Sequence, residues 1–242
     1  MLEALIFDVD GTLADTEMAH LAAFNHAFAQ AGLPWQWDVA LYTQLLEISG
    51  GSERIRAYWS QLEQLPETFN GQPLSDFIAS IHRLKTQAYE KAVADGQVSL
   101  RPGVLNLIHE ATDHGVTLAI ATTTSPANIA ALLHHTLGAH WQQMFAVIED
   151  ASTAPRKKPH PMVYQQALDR LGLTAQVCIA FEDSANGLRA ANLAGLPTLV
   201  TPNRFTEHHD FSGAWRLAPS LEKVTWAQLQ QWHAQACHAI PS

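Results

Sequence analysis

Cysteine is nearly missing from this chain: Cys178 and Cys237 are the only two. Two thiols far apart, in no metal-ligand spacing, build neither a disulfide framework nor a zinc site. Cys178 sits in an apolar run and reads as a buried core residue. Positive charge is scarce as well. Lys and Arg number 14 against 23 Asp and Glu, a formal net charge of -9. That balance argues against nucleic acid or an anionic membrane surface as a partner, though a local basic pocket for a small anion stays open. No apolar run approaches the length of a membrane span. The chain enters its first strand at once, which leaves no room for a secretory signal; a cytoplasmic, reducing compartment is expected. Internal repeats and low-complexity linkers are lacking too. What remains is a chain of 242 residues, 47% hydrophobic. That is enough for one large core, or a core domain with an insertion.

The stretch Leu2 to Thr12 carries the first chemistry. Leu5, Ile6, Phe7 and Val9 read as a buried strand, ending in Asp8 and Asp10 and then Gly11-Thr12. Side chains alternate along a strand, so Asp8 and Asp10 are expected on one face. Two buried carboxylates repel each other, and a hard cation such as Mg²⁺ would relieve that cost. Taken alone, the segment fits a strand running into an Asx turn equally well.

From about Thr16 to Ala94 the pattern is helical, with no clear strand. Four helices are expected, around Ala19–Phe28, Leu41–Ile48, Ile55–Leu62 and Phe77–Ala92. Gly32 with Pro34, Gly50-Gly51, and Asn70-Gly71 with Pro73 punctuate them. Alternation of strand and helix follows. Strands are expected at Val116–Ala121, Phe145–Ile148, Val177–Phe181 and Pro197–Val200. Helices follow Pro102, Pro126, Pro161 and Ser184, with Ser125 and Ser184 as caps. The fold class is therefore α/β, a Rossmann-like parallel sheet with an inserted helical domain. The expected division is 1–15 with 97–242 for the core and 16–96 for the insert. The Trp226 to Trp232 segment suggests a last amphipathic helix. His134-His135 and His208-His209 read as surface features rather than metal sites; the first pair diverges because it lies on a helix.

In open parallel sheets, ligands bind outside the carboxyl ends of the strands. Four polar clusters fall there: Asp8 with Asp10; Thr122-Thr123-Thr124; Lys158 before Pro159; and Glu182-Asp183. Each has an ordinary explanation alone, as a turn, a solvated lysine run or an acidic helix cap. Together, in order and each after an apolar strand, they describe phosphoryl chemistry. Acids hold Mg²⁺, a threonine turn at a helix N-terminus and a lysine take the phosphate charge, and one aspartate is free to attack.

With these motifs the chain resembles the haloacid dehalogenase-like phosphotransferases over essentially its whole length. The helical insertion looks like their first-type cap. More narrowly, Phe7 to Ala14, Ser49-Gly50-Gly51, His82-Arg83-Leu84-Lys85-Thr86, Ala119 to Ser125 and Glu182 to Ala191 resemble CbbY-type phosphatases and β-phosphoglucomutase. The resemblance implies a Mg²⁺-dependent, monomeric phosphatase of a small sugar phosphate, xylulose-1,5-bisphosphate first, with a mutase or a phosphoglycolate phosphatase behind it. It implies Asp8 as nucleophile and Asp10 as general acid and base. Thr122 and Lys158 would bind the transferring group, and Asp8, Asp10 (through its backbone carbonyl), Glu182 and Asp183 the metal. Substrate contacts would come from Glu17, His20, Gly50, Gly51, Ser52, Arg54, His82, Arg83 and Lys85 on the cap. Thr122, Thr123, Thr124, Ser125, Asn128 and Lys158 would supply them from the core. One departure stands out: Ser52 occupies a place where such enzymes commonly have lysine.

Overall fold

The computed structural model describes residues 1–62 and 64–238, the side chains of 236–238 excepted; Cys237 thus lies outside the described side chains. The elements run β1 (Ala4–Phe7), α1 (Glu17–Gln30), α2 (Val39–Leu45), α3 (Gly51–Leu62), β2 (Thr68–Phe69), β3 (Gln72–Pro73) and α4 (Leu74–Ala94). Then come α5 (Val104–Asp113), β4 (Thr117–Ala121), α6 (Pro126–Leu137), β5 (Val147–Glu149), α7 (Met162–Leu171) and β6 (Cys178–Glu182). The last are α8 (Ala185–Leu193), β7 (Thr198–Val200), β8 (Arg216–Leu217) and α9 (Trp226–His238). Six strands form one parallel sheet in the order β5-β4-β1-β6-β7-β8. The chain builds outward from β1 on one side, then returns to build on the other. That reversal opens a crevice at the carboxyl end of β1.

The alternation of side chains divides the core into two layers. Leu5, Phe7, Leu118, Ile120, Ile179 and Phe181 face α5, α6 and α9. Ala4, Ile6, Ala119, Ala121, Cys178 and Ala180 face α7 and α8. Apart from Ile6, the residues named on the second face are alanines and a cysteine. Asp8 continues the parity of Ala4 and Ile6, which turns its carboxylate toward the α7–α8 layer.

The insert packs around its own apolar core of Phe24, Phe28, Trp37, Tyr42, Trp59, Phe77 and Ile81. The Asn25 amide pins the Trp35–Trp37 connection, donating to Trp37 O at 2.8 Å and accepting from Trp37 N at 2.7 Å. One member of this core comes from far outside the insert. Phe205, in the loop after β7, is 3% exposed and packs edge-on against Tyr42.

Three departures from the sequence reading have local causes. The Asn70-Gly71 turn carries a two-residue hairpin, β2 with β3. β8 adds two residues to the sheet edge. The strand of Asp8 stops at Phe7, because the N–H groups of Thr12, Leu13 and Ala14 turn back onto Val9 O. Gly11 at φ +78° allows that turn. Strand alternation therefore does not reach Asp10, although both aspartates line the same cavity.

Candidate active site

Parallel register places Phe7, Ile120 and Phe181 side by side, so Asp8, Ala121 and Glu182 meet one step further on. Lys158 reaches into this junction from the loop after β5. Its Nζ donates to Asp8 Oδ1 at 2.6 Å, Glu182 Oε1 at 2.6 Å and Ala121 O at 2.8 Å. All three ammonium protons are used. Burial draws Lys158 toward the neutral form, but Asp8 and Glu182 outweigh it and raise its pKa. The neighbouring Lys157 instead lines the cavity 3.7 Å from Glu53 Oε1 of the cap.

The acids remain in excess. Carboxylate oxygens of Asp8, Glu182 and Asp183 lie within 4.8 Å of one another, all buried. Burial pushes Glu182 up to about 7, with Asp8 adding to the rise and Lys158 opposing it. Burial and the acids Glu17, Asp8 and Glu182 push Asp183 well above the ordinary carboxylate range. Glu182 Oε1 also accepts from the Tyr164 hydroxyl, while Oε2 has no hydrogen-bond partner among the described residues. Three clustered carboxylates, one lysine and an orphaned buried oxygen fit a hard divalent cation.

Gly187 fits the same need. A Cβ there would lie 1.8 Å from Glu182 Oε2 and 2.1 Å from its Cδ. Lys158 and Tyr164 pin Glu182, so the clash is relieved only by moving that carboxylate away. Alanine is the better helix former by roughly 1 kcal/mol, whereas overpacking costs about 1–3 kcal/mol. Gly187→Ala is therefore expected to change stability by less than about 2 kcal/mol while cutting turnover sharply. A thermal melt beside a steady-state assay checks both.

The Asp10 carboxylate lies outside the acid trio, as suits a group expected to face the metal through its backbone carbonyl. It turns to His20 Nε2, 2.9 Å away, and His20 Nδ1 is 2.8 Å from Lys85 Nζ. An ammonium only donates, so Nδ1 accepts and the imidazole proton sits on Nε2, pointing at Asp10. Burial and Lys85 hold His20 down to about 4. Burial alone would raise Asp10, yet its pKa is lowered by His20 and by Lys85. The Lys85 hydrogen bond decides the charge of His20: the ring is neutral, and the positive charge Asp10 feels is that of Lys85. Burial, against the pull of Asp10, brings Lys85 itself down to about 7.

The junction opens into a cavity of about 230 Å³ between sheet and cap. Thr122, Thr123 and Thr124 line it where β4 runs into α6, which Ser125 caps by accepting from Asn128 N. Asn128 donates to Thr124 Oγ1 at 3.1 Å. Gly50, Gly51, Ser52, Arg54, His82, Lys85, Glu17 and His20 close it from the cap side. Gly51 lies against His82, where any Cβ would meet the ring at 2.5 Å. Arg54 holds the carbonyls of Leu45 and Ile48 with Nε and Nη2, besides lining the cavity. Arg83 does not take part. It is exposed and absent from the lining, because His82 and Lys85 share a helix face from which residue 83 is rotated about 100°.

Four contributors escaped the sequence reading. Tyr164 orients Glu182. Asn203 donates to Asp183 Oδ2 at 2.8 Å. Arg101 binds Gly11 O together with Thr201 O and Pro202 O. His209, expected at the surface, has a side chain only 6% exposed and sits 3.0 Å from Glu47 Oε1 of the cap. Asn203 had a legible signal, since it lies three residues past the carboxyl end of β7.

A family model for haloacid dehalogenase-like hydrolases matches residues 2–195. The chain belongs to that family. It is an enzyme, a phosphatase of haloacid dehalogenase type. It is 53% identical to the plasmid-borne protein CbbY of Cupriavidus necator, over 91% of this chain and 86% of the relative. Its structure resembles CbbY from Rhodobacter sphaeroides in complex with phosphate, with a TM-score of 0.88 and 42% identity, covering 95% of this chain and 100% of that one. A variant of the same protein in complex with xylulose-(1,5)-bisphosphate gives a TM-score of 0.87 at 42% identity, covering 95% and 99%. Among the described residues no helix is long and apolar enough to cross a membrane.

Proposed function

We propose that this enzyme is a magnesium-dependent sugar-phosphate phosphatase that works through an aspartyl-phosphate on Asp8, with xylulose-1,5-bisphosphate as substrate. The observation that carries the reading is the Lys158 ammonium bound to both Asp8 and Glu182 on the floor of a cavity with more cations opposite. An Asp8 oxygen attacks phosphorus and the sugar oxygen leaves. Thr122 and the N–H groups at the start of α6 hold the phosphoryl oxygens, and the Lys158 charge beside Asp8 offsets theirs. A cation bound by Asp8, Glu182 and Asp183 would neutralise charge between those carboxylates and the phosphoryl group.

Asp10 is ionised at rest, so it needs a proton before it can protonate the leaving oxygen. The His20 relay can deliver one: Nε2 gives its proton to Asp10 while Lys85, already near 7, gives one to Nδ1. A phosphate dianion beside Asp10 favours that transfer, since like charge raises a carboxyl pKa. The neutral sugar hydroxyl departs. Asp10 then draws a proton from water, which hydrolyses the aspartyl-phosphate.

A second phosphate would meet the buried cations Arg54 and Lys85 of the cap. Lys157 adds a core cation where the cap has Ser52; its side chain crosses beside Gly50. Phosphate release from xylulose-1,5-bisphosphate, phosphoglycolate and β-glucose-1-phosphate tests the proposal. The bisphosphate is expected to give the highest kcat/KM, with one phosphate released per molecule. A preference for either other substrate overturns the choice of sugar.

The acid cluster makes its own prediction. Glu182 is pushed up to about 7. A cation arriving at neutral pH must displace protons, so its affinity is present above this range and is lost as pH falls through it. Calorimetric titration of Mg²⁺ in buffers of different ionisation enthalpy should show proton release at pH 7. Binding should be weaker at pH 6 than at pH 8.

A further inference from the structure

The loop after β7 makes contacts that belong to three different parts of the molecule. Asn203 Nδ2 donates to Asp183 Oδ2 at 2.8 Å and lies 3.4 Å from Glu17 Oε1. Phe205 is buried in the apolar core of the cap. His209 accepts from Ala185 N, at the start of α8, through Nδ1 at 3.2 Å, and its Nε2 is 3.0 Å from Glu47 Oε1 of the cap. Glu47 is held a second time, its carbonyl accepting from Asn186 Nδ2 at 2.8 Å.

These points are joined stiffly. Asn203 Oδ1 accepts from Phe205 N at 2.8 Å, and Asn203 O accepts from Thr206 N at 2.9 Å and Glu207 N at 2.8 Å. Thr206 Oγ1 accepts from Asn203 N at 3.0 Å. His209 N closes on Thr206 O at 2.9 Å. A displacement of Phe205 therefore displaces the Asn203 amide. At its root the loop is tied to Glu182 O by Thr201 N at 2.8 Å, and Arg101 clamps the adjacent carbonyls to Gly11 O.

Glu47, His208 and His209 also come close enough to suggest a second cation site. The chemistry argues against it. The Ala185 N–H already occupies Nδ1 of His209, which leaves the ring proton on Nε2, facing Glu47. A protonated ring nitrogen has no lone pair for a metal.

We propose that Asn203–His209 is a strap that couples the seating of the cap to the Asp183 carboxylate, with Asn203 as the positioning residue through which it acts. When the cap is seated, Phe205 and His209 hold the strap and Asn203 fixes Asp183. When the cap lifts, Phe205 is drawn with it and Asp183 loses its amide donor. Coupling between two sites is reciprocal, so a cation held by the acid cluster favours the seated cap to the same degree. The inference rests on the reading of Asp183 as an acid of the cation site.

The test measures Mn²⁺ binding to the resting enzyme by electron paramagnetic resonance, without substrate. Variants are Asp183→Asn, Asn203→Ala, Phe205→Leu and Glu47→Ala, each with a thermal melt. Phe205→Leu keeps an apolar side chain in the cap core, and Glu47→Ala lies at a half-exposed position where loss of fold is not expected. Asp183→Asn should bind far more weakly. Asn203→Ala should weaken binding, and Phe205→Leu and Glu47→Ala, neither of which supplies a ligand, should weaken it about 5–10-fold. If those two bind Mn²⁺ as the parent does, the strap does not couple the sites and the inference is overturned, whatever Asn203→Ala shows. If Asp183→Asn itself binds normally, the cation reading fails instead.

Discussion

Asp8→Asn should abolish phosphate release, by roughly 10⁴-fold or more, while leaving the fold intact. The change keeps the side-chain volume and removes the anionic oxygen that attacks phosphorus. No neighbour can replace it. Glu182 Oε1 is committed to Lys158 and Tyr164, Asp183 Oδ2 to Asn203, and Asp10 to His20. Stability should move little, by about 1 kcal/mol or less, because two effects oppose. Lys158 loses one carboxylate but keeps Glu182 and the Ala121 carbonyl. The crowded acids meanwhile lose a like charge, and burial already disfavours the ionised form of Asp8. The measurement is phosphate release with substrate in excess, beside a thermal melt of parent and variant. Substrate binding should survive in the variant, seen by equilibrium titration. Turnover at the parent rate would mean that Asp8 is not the nucleophile and that the chemistry lies elsewhere in the cavity.

The core of this site was readable because its residues follow buried strands. Apolar runs place Phe7, Ile120 and Phe181 in register, and the polar residues after them then have to converge. Lys158 needed more, a contact across 150 positions, which the sequence motif supplied and no local rule does. Where local rules failed, a competing local effect is visible. Strand alternation does not extend to Asp10, because the turn onto Val9 O ends the strand first; the two aspartates reach one cavity through that turn instead. Helix periodicity would have removed Arg83 from the basic cluster, since it cannot share the face of His82 and Lys85. The short strands β2, β3 and β8 carry two residues each, too few to show any period. The loop from Asn203 to His209 was opaque for another reason. Its residues are ordinary for a turn, and their roles come only from partners at Asp183, Tyr42 and Glu47.

Replacing Lys158 by Met tests the electrostatics of the site more severely than any other single change. Turnover is expected to fall by about 10²–10³-fold, since the ammonium that neutralises the phosphoryl group is gone while Asp8 remains. Breaking a buried pair from one side costs about 3–5 kcal/mol when the partner charge has nowhere to go. Here the partners have an outlet. Asp8 and Glu182 are already raised by burial, and Lys158 is what holds them down. Without it both take up protons more readily, and the native variant binds more protons near neutrality than the native parent. Stability therefore falls more steeply with rising pH in the variant. The deficit should be small at pH 6, where the carboxyls can be neutral, and larger at pH 8, where they must ionise unpaired. Lys158 itself stays charged across this range, its pKa being raised, so it adds no slope of its own. Denaturant melts of metal-free protein at the two pH values measure the difference. Added Mg²⁺ should restore part of the stability at pH 8, because a cation among the three acids supplies the missing charge, but not the turnover. An equal deficit at both pH values would mean that the carboxylates stay ionised without a partner, against the desolvation that organises this site.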